Sequence, residues 1–146
     1  HEVIVFAPTS DTPRIKHAGT FYPVNSMFFP GRPEYRIALG LPSSSREILL
    51  DFKPNLVHIA TPDVLGFQAQ GWAREQGIPV VCAYHTHFAQ YLSYYHLGSL
   101  EGALWGIMHR FYQGCLHTYV PTSSVARELG QHGVVKEGVR LWTRGV

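Results

Sequence analysis

Cysteine is scarce in this sequence. The 146 residues hold two, Cys82 and Cys115. Both sit in apolar surroundings, one on a predicted strand and one at a predicted helix end. They read as free buried thiols of a reducing compartment, not as a disulfide framework. Long apolar runs are also lacking. None approaches the ~18 residues that a membrane-crossing helix needs, and no export leader pattern opens the chain, so neither spanning nor export is expected. Charge is sparse: Lys plus Arg number 12 against 10 Asp plus Glu, 15% of the residues, with a formal net charge of +2. No stretch is basic enough to bind nucleic acid. There is no Gly-x-Ser-x-Gly elbow of a hydrolase and no phosphate loop ending in Gly-Lys-Ser/Thr. Histidines are numerous, but His85, His87, His96 and His109 match no metal-ligand spacing, so no metal is expected. Internal repeats and low-complexity tracts are absent as well.

What is present suits one globular domain with a real core: 45% of residues are apolar and 13% aromatic. In chain order, residues 3–7 read as a buried strand, 8–19 as a loop and 21–29 as a strand broken by Pro30-Gly31-Arg32-Pro33, with a short extended piece over 35–41. A helix is predicted through about Phe52, with Ser43-Ser44-Ser45 offering N-caps and Ser44 and Glu47 spaced as a capping box, ending at Lys53-Pro54-Asn55. Short apolar strands follow at 56–60, 79–83, 117–120 and 139–142. Between them lie helices over 64–76, stopped by Gly77, over 99–115, and from Thr122 to about Gln131. The third of these four helices carries Leu100, Leu104, Ile107, Met108 and Phe111 as a wide apolar stripe. The strands lack alternation, as strands buried on both faces do. Strand and helix alternate, which predicts an α/β fold: a Rossmann-like, doubly wound parallel sheet with right-handed crossovers.

In such a sheet, side chains just after the strands share one crevice. Those are Thr61 and Asp63, then His85, Thr86 and His87, then Thr122, Ser123 and Ser124, and last Arg144. Helix N-termini at Asp63 and Thr122 would aim backbone N–H groups at the same place. The ordinary alternative for Asp63 and the Thr122–Ser124 cluster is helix capping. His85 and His87, two apart on an extended segment, would point to opposite sides. Their ordinary alternative is that of partly buried loop histidines. Tyr91, Tyr94 and Tyr95 follow, able to stack on a sugar, to border an acyl chain, or simply to pack the loop.

Several motifs in order carry a resemblance: His1-Glu2-Val3, Phe29-Pro30-Gly31-x-Pro33-Glu34-Tyr35-Arg36, Lys53-Pro54-Asn55-Leu56-Val57-His58-Ile59-Ala60-Thr61-Pro62, and Gly77-Ile78-Pro79-Val80-Val81. After these come Tyr84-His85-Thr86-His87, Val120-Pro121-Thr122-Ser123 and Leu141-Trp142-x-Arg144-Gly145-Val146. Nearly end to end, the chain resembles the N-terminal, acceptor-side domain of family 4 retaining glycosyltransferases of the GT-B fold. It is most similar to the branch with lipid-directed α-mannosyltransferases and sulfoquinovosyl-diacylglycerol synthases. The resemblance implies a nucleotide-sugar donor, a lipid or lipid-linked sugar acceptor, no cofactor, no metal, and a cytoplasmic enzyme with peripheral contact to the inner membrane face. It implies His85 at the reaction centre against the donor sugar, without being a nucleophile. It implies acceptor contacts from Thr86, His87, Tyr35, Arg36, Thr61, Asp63 and Tyr91, and donor proximity for Thr122, Ser123, Arg144 and Gly145.

Against that pattern, a first strand with its glycine-rich loop is expected before His1, an acidic residue after Val146, and a donor domain beyond. The chain reads as a truncated N-terminal half of the GT-B fold, inactive alone. A stand-alone α/β module that binds a sugar or nucleotide without transfer is the competing expectation. A GT-B sugar epimerase is more remote, because no acid–base pair for a sugar carbon is visible.

Overall fold

A computed structural model describes residues 1–9, 19–29, 32–84, 101–135 and 138–143. The chain divides into two compact units, His1–Pro54 with Asp63–Ala69, and Asn55–Pro62 with Gln70–Val146.

In the first unit, β1 (Ile4–Pro8) pairs in parallel with β2 (Thr20–Val24). β3 (Ser26–Phe29) pairs antiparallel with β4 (Arg32–Ala38), with a register shift between Phe28 and Phe29. The single strand expected over 21–29 is therefore two. The chain changes partners at Asn25, whose carbonyl accepts the Leu39 N–H at 2.8 Å. β3 ends at Phe29, where the break over residues 30–33 was expected, but β4 resumes at Arg32 and so takes in the last two residues of that segment. Pro33 lies inside β4, which has one pairing edge in its two-stranded sheet and can spare a donor on the other. β1 is less buried than its composition suggested, since Val5 is 44% exposed in a sheet of two strands.

α1 (Ser43–Phe52) forms where expected but is not capped as expected. Pro42 is the N-cap, extended at φ −67° and ψ 162°, and no side chain caps the end. Proline's fixed φ sets the cap two residues before Ser44, so Ser44 falls inside the first turn and Ser45 is buried there. Lys53 stops α1 in the left-handed region, its N–H donating to Leu49 O at 3.0 Å. Among the described residues, Val24, Ala38, Leu41 and Leu49 are the buried apolar residues of this unit.

α2 (Val64–Glu75) begins in the first unit and ends in the second. Its end is a Schellman turn: Gly77 has φ +68°, Ile78 N–H donates to Ala73 O at 2.8 Å, and Gly77 N–H to Arg74 O at 3.2 Å.

The second unit is the predicted parallel sheet. β5 (Val57–Ile59), β6 (Val80–Ala83), β7 (His117–Val120) and β8 (Val139–Leu141) lie side by side in chain order, all parallel. All four residues of β6 are buried, as its unbroken apolar run implied. α3 (Glu101–Gln113) lies between β6 and β7 in the chain, and α4 (Ser123–Gln131) between β7 and β8. α3 buries Met108, Phe111 and Tyr112, an i, i+3, i+4 stripe. Ile107, assigned to that stripe from sequence, is 50% exposed because it lies one residue, about 100°, off its centre. Leu100 lies outside the described residues. α4 buries Val125 and Leu129.

Gly138 enters β8 at φ +78°, and a Cβ there would lie 2.6 Å from the Leu116 carbonyl oxygen. Neither a backbone atom of the β7 entry nor the left-handed φ can yield cheaply. Gly138→Ala is expected to lose more than the roughly 1–2 kcal/mol that the left-handed region alone costs an alanine, read as a lower urea midpoint.

Candidate functional site at the carboxyl edge of the parallel sheet

Parallel register carries the ends of β5 to β8 to one edge. Pairing continues just past the strands: Tyr84 N–H donates to Tyr119 O and Trp142 N–H to Val120 O, each at 2.8 Å. Thr61 follows β5 and is exposed, and Thr122 and Ser123 follow β7 and are exposed. Two strand spacings, on the order of 10 Å, separate the ends of β5 and β7.

The best-anchored of these ends is that of β6. Tyr84 is buried, its ring 5.8 Å from that of Tyr112. The Tyr112 hydroxyl donates to Ala83 O at 3.4 Å, so a side chain from α3 holds the last carbonyl of the strand. Burial, with a smaller contribution from the Glu128 carboxylate, pushes the Tyr84 phenol up to about 12. Burial likewise raises Tyr112. Both rings are therefore neutral, packed struts at ordinary pH. The next residue in sequence is His85. His85, Thr86, His87, Tyr91, Arg144 and Gly145 lie outside the described residues.

The capping alternatives hold where they can be examined. Thr122 Oγ1 accepts the Val125 N–H at 3.3 Å and lies 2.8 Å from Ser124 Oγ, which fixes the first turn of α4. Asp63 Oδ1 accepts the Gly66 N–H at 2.8 Å and so caps α2. Capping uses one oxygen lone pair of each side chain and leaves both at helix N-termini, where backbone N–H groups and the helix dipole favour negative charge. Arg36 and Tyr35 belong to β4 in the first unit. The Arg36 guanidinium donates to Ser26 Oγ at 3.2 Å and lies 4.4 Å over the Phe28 ring. Arg36 thus ties β4 to β3, using one of five possible donors.

One cluster escaped the sequence. Trp142 lies 5.5 Å from Tyr119, edge to face, and 6.0 Å from His58. In β5, β7 and β8 the register puts His58, Tyr119 and Arg140 on one face of the sheet, with Trp142 two residues beyond Arg140. Strand register and period-two counting were the signals that would have found it. Burial lowers the His58 pKa. The unfolded chain then takes up the proton first, so His58 withdraws stability as pH falls below the ordinary imidazole value. His58→Phe is expected to flatten the decline in urea midpoint between about pH 7 and pH 5.

Among the described residues, no group of three or more His, Cys, Asp or Glu side chains could hold a metal ion, and no helix is long and apolar enough to cross a membrane.

Comparison with known proteins places this architecture. The sequence profile of Glycosyltransferase Family 4 matches residues 1–146. Sulfoquinovosyl transferase SQD2 of Arabidopsis thaliana is 30% identical over 126 residues, 84% of this chain and 25% of that protein. The GDP-mannose-dependent alpha-mannosyltransferase of Mycolicibacterium smegmatis is 32% identical over an alignment covering 100% of this chain and 40% of that protein. The enzyme of the same name from Corynebacterium glutamicum is 34% identical over 110 residues, 75% of this chain and 26% of that protein. The chain thus spans between a quarter and two fifths of the length of these curated relatives. Its parallel sheet with flanking helices is a Rossmann-like half of a GT-B fold. With the profile matched from the first residue to the last, the chain belongs to glycosyltransferase family 4.

Proposed function

We propose that this chain is the acceptor-side part of a retaining glycosyltransferase. The complete protein moves a hexose, mannose or a related sugar, from a nucleotide sugar to a lipid or lipid-linked acceptor. It does so in the cytoplasm, in peripheral contact with the inner face of the membrane. The observation that supports the reading is the end of β6 at the carboxyl edge of the sheet, buried and held by Tyr112, with His85 following Tyr84 in the sequence. The relatives' names support transfer of a sugar from a nucleotide sugar: one is a GDP-mannose-dependent alpha-mannosyltransferase and another a sulfoquinovosyl transferase.

The chemistry asks for what such an edge offers. Glycosyl transfer passes through an oxocarbenium-like transition state and releases a diphosphate. Fixed dipoles and cations stabilise both better than a strong base does. His85 supplies a directed hydrogen bond to the donor sugar. Thr122, Ser123, Arg144 and Gly145 border the donor, with the α4 N-terminus adding backbone N–H groups. Thr61, Asp63, Thr86, His87 and Tyr91 face the acceptor, and Tyr35 and Arg36 meet its polar head. No cofactor or metal takes part. The chain by itself does not catalyse transfer.

The test uses the complete protein with membrane-lipid extract and a panel of GDP-mannose, UDP-glucose, UDP-glucuronate and UDP-sulfoquinovose. Labelled sugar appearing in a lipid-soluble product, at a rate unchanged by EDTA, supports the reading. Nucleotide-sugar binding without transfer from any donor overturns it in favour of a binding module.

A further inference from the structure

The chain has three tryptophans, and the fold uses their rings differently. Trp72 is 5% exposed and belongs to the core. Trp105, on α3, is stacked against the His132 ring, 3.9 Å away with 6° between the planes, so one of its faces is closed. Trp142 is 49% exposed. Tyr119 and His58 meet its ring at steep angles, 70° and 58°, with centroids 5.5 and 6.0 Å away. Strand order explains why this ring stands in the open. β6, β7 and β8 lie in chain order, so right-handed crossovers put α3 and α4 on the same face of the sheet. One face carries Val80, Cys82, Thr118 and Val120, all buried, as residues under helices are. The opposite face carries His58, Tyr119, Arg140 and Trp142. There Tyr119 is half-buried and the other three are exposed. Ala83 of β6 is in register with Tyr119 on that second face. So short a side chain lets rings from β5 and β8 meet across it.

We propose that Trp142, braced by Tyr119 and His58, is a stacking surface for the pyranose ring of an uncharged sugar, with Arg140 and His58 bonding its hydroxyls. The inference goes beyond the sugar-transfer reading and needs no transfer chemistry.

A pyranose has an apolar face, a patch of axial C–H bonds whose hydrogens are slightly positive. It fits the negative face of an aromatic ring, and the indole offers the largest such face. Hydroxyls at the rim of the sugar then need donors and acceptors at the edge of the indole. Arg140 stands two residues before Trp142 on the same face of the sheet, and one of its five donors bonds the Val139 carbonyl at 3.1 Å. Burial lowers the His58 pKa. Its imidazole is therefore neutral near pH 7 and offers one donor and one acceptor, which a hydroxyl answers with an acceptor and a donor. Arg140 is the one fixed cation among the described residues of this face, which suits a neutral ring better than a phosphorylated one. Tyr119 and His58 also fix the indole before a ligand arrives, so binding spends little on ordering it.

The experiment records saturation-transfer NMR of methyl β-D-glucopyranoside and methyl β-D-mannopyranoside with the complete protein, in the absence of any nucleotide sugar. Sorbitol, an open-chain polyol, is the control. Saturation is expected on the glycosides and not on sorbitol, strongest at the axial hydrogens of one ring face. Trp142→Ala is expected to weaken the signal by roughly tenfold or more, since both the buried area and the ring contact are lost. Trp142→Phe, which keeps a smaller ring, restores part of it. Arg140→Leu and His58→Phe each weaken binding roughly three- to tenfold, the effect of losing one hydrogen bond. Circular dichroism checks that each variant is folded. No saturation of either glycoside overturns the proposal. So does equal saturation of sorbitol, or a glycoside signal that Trp142→Ala leaves intact. With no donor in the tube, each of these failures leaves the sugar-transfer reading standing.

Discussion

Replacing His85 with alanine in the complete protein is expected to cut sugar transfer by roughly a hundredfold or more, the usual effect of losing a hydrogen bond made to charge that develops in a transition state. The reason lies in where the residue stands in the chain. β6 is buried along its whole length, and Tyr84 and Tyr112 hold its end. Side chains delivered by so fixed a strand can be pre-organised, and pre-organised dipoles stabilise charge without reorganising during the reaction. The loss should fall on kcat more than on the donor KM, because the proposed contact strengthens as the sugar gains positive charge. His85→Gln, which keeps a donor near the same place, should recover part of the rate. Transfer that survives both substitutions would leave the family assignment standing and move the reaction centre away from His85.

Phe111→Ala is expected to destabilise the second unit by roughly 3–5 kcal/mol, a large fraction of the ~5–15 kcal/mol that holds a domain folded. Phe111 is 0% exposed, and its ring meets Tyr112 edge-on at 5.1 Å. Its carbonyl also accepts from Gln70 Nε2 at 2.8 Å, so a shifted backbone there would disturb the tie between α2 and α3. The contrast is Ile107→Ala on the same helix. Ile107 is 50% exposed, and its truncation is expected to cost well under half as much. Urea midpoints of the two variants measure the difference. Equal losses would mean that α3 buries a different face from the one described.

The elements of this chain were legible because their causes are local. A glycine that must adopt φ +68° ends α2 wherever the sequence puts it, and a threonine ahead of an apolar-periodic run caps α4 through the N–H groups beside it. An unbroken apolar run between turn signals gave β6, and its burial followed from a parallel sheet covered on both faces. Local rules failed where two of them competed. Pro42 displaced the Ser44 cap because a fixed φ outranks an optional side-chain hydrogen bond. The strand over 21–29 split because sheet partners, which sequence pattern does not name, changed at Asn25.

Local hydrogen bonding, backbone φ and apolar period thus let the sequence by itself determine which segments become strands and helices, and the ordered motifs determined the family. Only the tertiary structure decided which side chains meet. Strand order and register brought Cys82 to Thr118, set Tyr112 under Ala83, and gathered His58 and Tyr119 around Trp142. Those meetings depend on the pairing of strands far apart in the chain, a long-range choice that no local window of sequence encodes.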